Sequence, residues 1–198
     1  MPFQTNRLLE SLPAGERQAL AAQLAQTTVE QHQTLFNVRE LISDIYFPID
    51  AVVSLVVPLS TGEVIETAMV GRDGVIGAGA TLNGRISLNQ AIVQIGGKVL
   101  RCPVGSLRNI LAEYPIQTLI GAREQSVFAQ AQQSAACNAT HVIESRLSRW
   151  LLRAADLHGS DELPLTNAGR PAYKRDSGRA NFARSGDDPL YARPHQVA

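Results

Sequence analysis

The chain has 198 residues, enough for one full domain with an appendage and a sizeable buried core. Its composition is 44% hydrophobic and 18% charged, which excludes a collagen-like or wholly disordered chain. Its 18 basic and 18 acidic side chains cancel, so no strong overall charge points to a nucleic-acid coat.

The charge is uneven along the chain. Residues 1–166 hold 12 Lys and Arg against 15 Asp and Glu, whereas residues 167–198 hold 6 against 3. The ending is therefore weakly basic. Two cysteines, Cys102 and Cys137, show neither a pairing motif nor zinc spacing, which predicts reduced thiols in a cytoplasmic protein. The opening "MPFQTNRLLESLPAG" lacks the apolar core of a secretory signal, and no run of ~18 apolar residues suggests a membrane span.

In chain order, "RLLESLPAGERQALAAQLAQ" is predicted helical, with Ser11 as a cap, Pro13 near a helix start and Leu20 one turn from Leu24. From about Val29 to Cys102 the texture changes to short β-rich runs: "TLFNV", "DIYFP", "AVVSLVVPL", "EVIETAMV", "AIVQI" and "KVLRC". Thr61-Gly62 is a hairpin signal, and glycines at 71, 74, 77, 79 and 84 mark tight bends or close approaches. Short strands at near-regular spacing predict a sandwich, jelly roll or barrel.

After Pro103 the period becomes helical. "VGSLRNILAEYP" is a short predicted helix, and a long one follows Pro115 to about Ala136. The seam of the long helix reads Ile116, Leu119, Ile120, Arg123, Val127, Ala131 and Ala135, a three-four repeat that fits either a partner helix across a two-fold axis or the chain's own β domain. "THVIESRLSRWLLRAADLHG" is predicted as a helix capped by Thr140 and ended by Gly159. Ile143, Leu147, Trp150, Leu151 and Ala154 lie on one apolar stripe.

Beyond Thr166 the pattern stops. Residues 167–198 contain three Val, Ile, Leu or Phe residues (Phe182, Leu190 and Val197), against nine in the equally long stretch 104–135. Glycines and prolines interrupt any helix there. So few apolar groups cannot offset an ordering cost of about 1–2 kcal/mol per residue, and this segment is predicted to be disordered.

The stretches "IYFPIDAVVSLVVPLSTGEVIETAMVGRDGVIG" and "QSAACNATHVIESRLSRWLLRAADLHGSDELPLT", in this order, resemble the bacterial Crp/Fnr family of transcription regulators over about residues 6–166. The resemblance implies an α+β chain: an N-terminal helix, a jelly-roll-like β-roll of the cyclic-nucleotide-binding type, and a long C-terminal dimerisation helix. It implies a sensor at 1–103 and dimerisation and linker helices at 104–165. A DNA-reading winged helix-turn-helix would follow "LPLT". Segment 166–198 stands in its place, and a reading-frame change would produce such an ending. The basic side chains of that segment would contact phosphates only weakly and without sequence preference.

Family members that bind cyclic AMP use a Gly-Glu pair and an Arg followed by a small hydroxyl residue. A buried phosphate needs a guanidinium fork and backbone donors, and a ribose hydroxyl needs a carboxylate. Here the Gly-Glu position matches Gly77-Ala78, and the Arg position matches Asn89 followed by Gln90. Both charged groups are missing, and Arg85 lies four residues upstream of Asn89 in "LNGRISLN". Losing the charged partner of a buried phosphate costs about 3–5 kcal/mol. The candidate ligand set is thus Gly77, Ala78, Arg85, Asn89 and Gln90, with a small effector other than cyclic AMP, or none, expected.

No cofactor is expected. Residues 1–101 have no cysteine for an iron–sulfur cluster, and His32 is a haem ligand only by default. A cupin-like enzyme needs clustered histidines on strands, and none of His32, His141, His158 and His195 falls within 33–102. "GAGATLNG" fails as a dinucleotide motif, because Leu82 stands where the third glycine is required. The expectation is a non-enzymatic regulator. It is expected to be homodimeric through Ile116, Leu119, Ile120, Arg123, Val127 and Ala131, to sense a small effector, and to have impaired specific DNA binding. An alternative is an inhibitory dimer that does not bind DNA.

Overall fold

The computed structural model describes residues 6–82 and 86–164, so Arg85 and the segment after Pro164 lie outside the described residues. Two short helices open the chain, α1 (Arg7–Glu10) and α2 (Ala14–Ala21). Seven strands and one short helix follow: β1 (Ala25–Val29), β2 (Thr34–Phe36), β3 (Asp44–Pro48), β4 (Val52–Pro58), β5 (Val64–Val70), α3 (Gly79–Leu82), β6 (Gln90–Ile95) and β7 (Gly97–Pro103). The chain then turns helical in α4 (Val104–Glu113), α5 (Ile116–Thr140) and α6 (Ile143–His158).

The strands form two antiparallel sheets, ordered β1-β7-β3 and β2-β6-β4-β5. Ile45 and Phe47 of one sheet join Val53, Leu55 and Val93 of the other in one buried core. Alternation in β6 is clean, with Ala91, Val93 and Ile95 buried and the residues between them half-buried. Strand β4 is buried on both faces over Val52–Val56 because its outer face is covered by a helix: Val52 packs with Met69, Ile95, Ala154 and Leu157. The roll and its helices make an α+β fold.

The opening helical reading needs correction. Asn6, not Ser11, caps α1: its side-chain oxygen accepts from the Leu9 N–H, while its amide donates to the Pro48 and Gly74 carbonyls. Ser11 ends α1, and Pro13 precedes α2. Ala25 and Gln26, read as helical, begin β1, which pairs with β7 from Ala25↔Arg101 to Val29↔Gly97. Thr27 and Thr28 favour the strand, and β7, paired on its other side with β3, supplies the partner.

Helix α5 lies along β5, the edge of its sheet, where the Gln130 side-chain oxygen accepts from the Met69 N–H. This helix thereby occupies a strand edge that would otherwise be open. Ile116 and Ile120 are 3% and 1% exposed in the chain's own core, and Leu119 and Val127 pack against that core. Ile116, Leu119, Ile120 and Val127 of the predicted seam therefore face the roll, whereas Ala135 is exposed.

Helix α6 begins after Val142. Thr140 is the last residue of α5 and its hydroxyl donates back to the Ala136 carbonyl, so it does not cap α6. Gly159 ends α6 at φ +83°, as its position predicts. The apolar stripe of α6 is rotated from expectation: Ala154 and Leu157 are buried and Trp150 packs beside them, but Leu147 and Leu151 are exposed. Arg146, Arg149 and Arg153 are half-buried on the face that includes Trp150. Long arginine stems cover apolar surface while keeping their charge partnered or wet.

Candidate functional site

One cavity of about 190 Å³ opens at the end of the roll beside α5. Phe36, Ile42, Leu55, Val75 and Ile76 form its apolar floor, Ser87, Leu88 and Asn89 one rim, and Glu124 and Val127 the α5 wall. Gly77 sits at the base with φ +81°. A Cβ there would lie 3.1 Å from the Ile42 Cγ2 and 3.3 Å from the Asp44 carbonyl oxygen. Both the backbone conformation and the space require glycine.

The structure brings only part of the predicted ligand set to this cavity. Gly77 and Asn89 line it. Ala78 is fully buried behind it, its carbonyl accepting from the Thr81 hydroxyl and N–H. Gln90 points elsewhere, donating to the Asn37 side-chain oxygen on the exposed surface. Arg85 lies outside the described residues. Ser87 is buried and both accepts from the Asn89 N–H and donates to the Asn89 carbonyl, which fixes the rim.

Sequence reasoning missed Glu124. Burial raises its carboxyl pKa above the ordinary carboxylate value, and a hydrogen bond from the Gly79 backbone offsets part of that rise. The signal was present but ambiguous. Ile116, Ile120 and Glu124 are successive four-residue steps on one face, but Arg123 fits the three-four seam equally well. The carboxyl sits beside the start of α3.

A second half-buried carboxyl lies where α6 meets the roll. Glu66 on β5 accepts from the Ser54 hydroxyl and from the Trp150 indole N–H, with Arg149 close by. Desolvation raises its pKa, and the two hydrogen bonds and Arg149 pull in the opposite direction. Around this cluster, Arg153 bridges Asp73 at 3.1 Å and His158 Nδ1 lies 2.7 Å from the Asp50 carbonyl oxygen. Gly71 allows α6 to approach closely, since a Cβ there would fall 2.7 Å from the Leu157 Cβ.

Both cysteines are free and buried. Burial, reinforced by the Asp44 charge, pushes the Cys102 thiol up to about 11, so it is a poor nucleophile or metal ligand. Among the described residues no three His, Cys, Asp or Glu side chains cluster to hold a metal, and no helix is long and apolar enough to cross a membrane.

Neither family models nor curated proteins match the chain by sequence. Solved structures match it by fold. The c-di-GMP responsive global regulator CLP of Xanthomonas campestris aligns with TM-score 0.59 at 12% identity, over 75% of this chain and 86% of that one. A double mutant of CooA from Carboxydothermus hydrogenoformans aligns with TM-score 0.53 at 12% identity, over 76% of this chain and 97% of the other. A putative cyclic nucleotide-binding protein from Geobacter metallireducens aligns with TM-score 0.50 at 13% identity, over 65% and 91%. The chain has a Crp/Fnr-like cyclic-nucleotide-binding fold, with the long helix that accompanies the roll.

Proposed function

We propose that the chain is the effector-sensing and dimerising part of a cytoplasmic, non-enzymatic Crp/Fnr-type transcription regulator. The observation that carries this reading is that α5 supplies one wall of the roll's cavity through Glu124 and Val127. An occupant there touches the long helix directly, so a change in the sensor reaches whatever that helix holds.

The opposite face of α5 supports a second copy of the chain as its partner. Ala122, Gln125, Ala129, Gln132 and Ala136 are exposed at alternating three- and four-residue spacing, with exposed Phe128 beside them. From Gln125 to Thr140 the helix carries no charged residue. A solvated helix face ordinarily carries charge, and small uncharged positions in this repeat suit close antiparallel or parallel helix packing. On this reading the dimer contact lies on the face opposite the seam read from the sequence. Specific DNA reading is proposed to be impaired in this chain, since the ending after Thr166 is poor in the apolar residues a recognition module needs.

Light scattering of the purified chain tests the reading. The expected molar mass is twice the 21.4 kDa of one chain. Ala129→Lys should return it to one chain with unchanged helical circular dichroism. A wild-type monomer at micromolar concentration overturns the dimer.

A further inference from the structure

The cavity's size and wall chemistry together define its occupant. Its volume of about 190 Å³ is close to that of an engineered apolar cavity of ~150 Å³ that takes benzene in another protein. It is smaller than the ~300–1,000 Å³ typical of pockets that enclose drug-sized ligands. A single ring with one short substituent fits this space, and a nucleotide does not.

The walls combine carbon surface with the polar rim of Ser87 and Asn89 and a single carboxyl. Phe36, Leu55, Val75, Ile76 and Val127 offer carbon surface, and among the described residues the Glu124 carboxyl is the one ionisable group lining the space. A carboxylate accepts through two oxygens with about four lone-pair sites. Glu124 receives a hydrogen bond from Gly79, and a Cβ on Gly79 would sit 3.7 Å from Glu124 Oε2. A half-buried acceptor met by one backbone donor gains from a guest that brings donors and positive charge. An anionic guest meets the reverse: a like charge at close range, with the Gly79 N–H already engaged.

We propose that this cavity binds a small apolar amine of single-ring size, whose ammonium group pairs with Glu124 while the ring fills the space against Phe36, Leu55 and Val127. The proposal rests on the sensor reading above and names its effector class. Charge-assisted N–H···O bonds are roughly twice as strong as neutral ones and are stronger still out of water. Because Glu124 is on α5 and its backbone donor is at the start of α3, the bound amine ties the long helix to the β-roll at one point.

Calorimetric titration of the full chain near neutral pH with benzylamine, benzoate and cyclic AMP tests this. Benzylamine is expected to bind once per chain and raise the melting temperature, while benzoate and cyclic AMP do neither. Glu124→Gln keeps the shape and removes the charge, so benzylamine should bind about tenfold more weakly or worse. Val127→Trp fills the space and should abolish binding, with circular dichroism showing both variants folded. Benzoate binding as tightly as benzylamine, or benzylamine affinity unchanged by Glu124→Gln, overturns the proposal. Cyclic AMP binding without benzylamine binding overturns the amine class and leaves the sensor reading standing. Failure of all three to bind overturns the amine class, while the sensor and dimer reading stands or falls on the light-scattering test above.

Discussion

The contact between the roll and α6 and the cavity between the roll and α5 each hold one half-buried glutamate, and desolvation raises the pKa of both. Their surroundings differ. Glu66 is met by the Ser54 hydroxyl, the Trp150 indole and the Arg149 charge, and it does not line the cavity beside α5. Glu124 is met by a backbone amide and faces the open cavity. The same side chain is therefore a fastener in one place and an unfilled half of a recognition pair in the other. The number of partners, rather than burial or pKa, separates the two roles.

The largest way to break this comparison is Trp150→Ala, which removes packing from the α6 contact and a donor from Glu66. It should cost about 3–4 kcal/mol, read from the urea midpoint. Gly71→Ala attacks the same contact sterically by driving a methyl into Leu157, and should cost about 2 kcal/mol with faster amide exchange in α6. Glu66→Met leaves the Ser54 hydroxyl and the Trp150 N–H without their acceptor, a loss of about 1–2 kcal/mol. Glu124→Met has the opposite sign, because it removes a poorly partnered half-buried carboxyl and fills space. It should gain about 1 kcal/mol in thermal stability near neutral pH. Loss on Glu124→Met as large as on Glu66→Met would erase the distinction.

The gain should also depend on pH. A carboxyl whose folded pKa lies above its ordinary value of 4.5 binds protons more readily in the folded chain. Its contribution is fully present below that ordinary value and is lost as pH rises through the raised folded pKa. Relative to the wild type, Glu124→Met should therefore gain stability as pH rises across that window and be nearly neutral below it, as measured by melting temperature against pH.

Much of the architecture was legible in the sequence, for physical reasons that also mark where reading failed. The strands from β2 to β7 announced themselves because β-branched runs were separated by turn residues, with the hairpin at Gly62 closing as expected (φ +86°; Gly62 N–H to the Leu59 carbonyl, 3.0 Å). Strand β1 was hidden because "LAQTTV" runs on from an Ala- and Gln-rich helix, and only its pairing with β7 decides its state. Helix α6 was found, and Trp150 and Ala154 of its stripe do pack inward, but the stripe is rotated: Leu157 is buried and Leu147 and Leu151 are exposed. Half-buried Arg146, Arg149 and Arg153 share the inner face, and apolar periodicity does not count them. The cavity was half legible. Gly77 and Asn89 came from a motif match, but Glu124 is distant in sequence and reaches α3 only after α5 folds along the roll.

The central claim is that α5 has two working faces, one closing the cavity and one meeting a second chain. Light scattering of Val127→Lys and Ala129→Lys, two residues apart on the same helix, tests it most directly. The account predicts that Val127→Lys, its ammonium placed in the cavity near Glu124, keeps the mass of two chains, while Ala129→Lys falls to the mass of one. Dissociation by Val127→Lys with an intact Ala129→Lys dimer would contradict it and return the interface to the Ile116–Val127 seam.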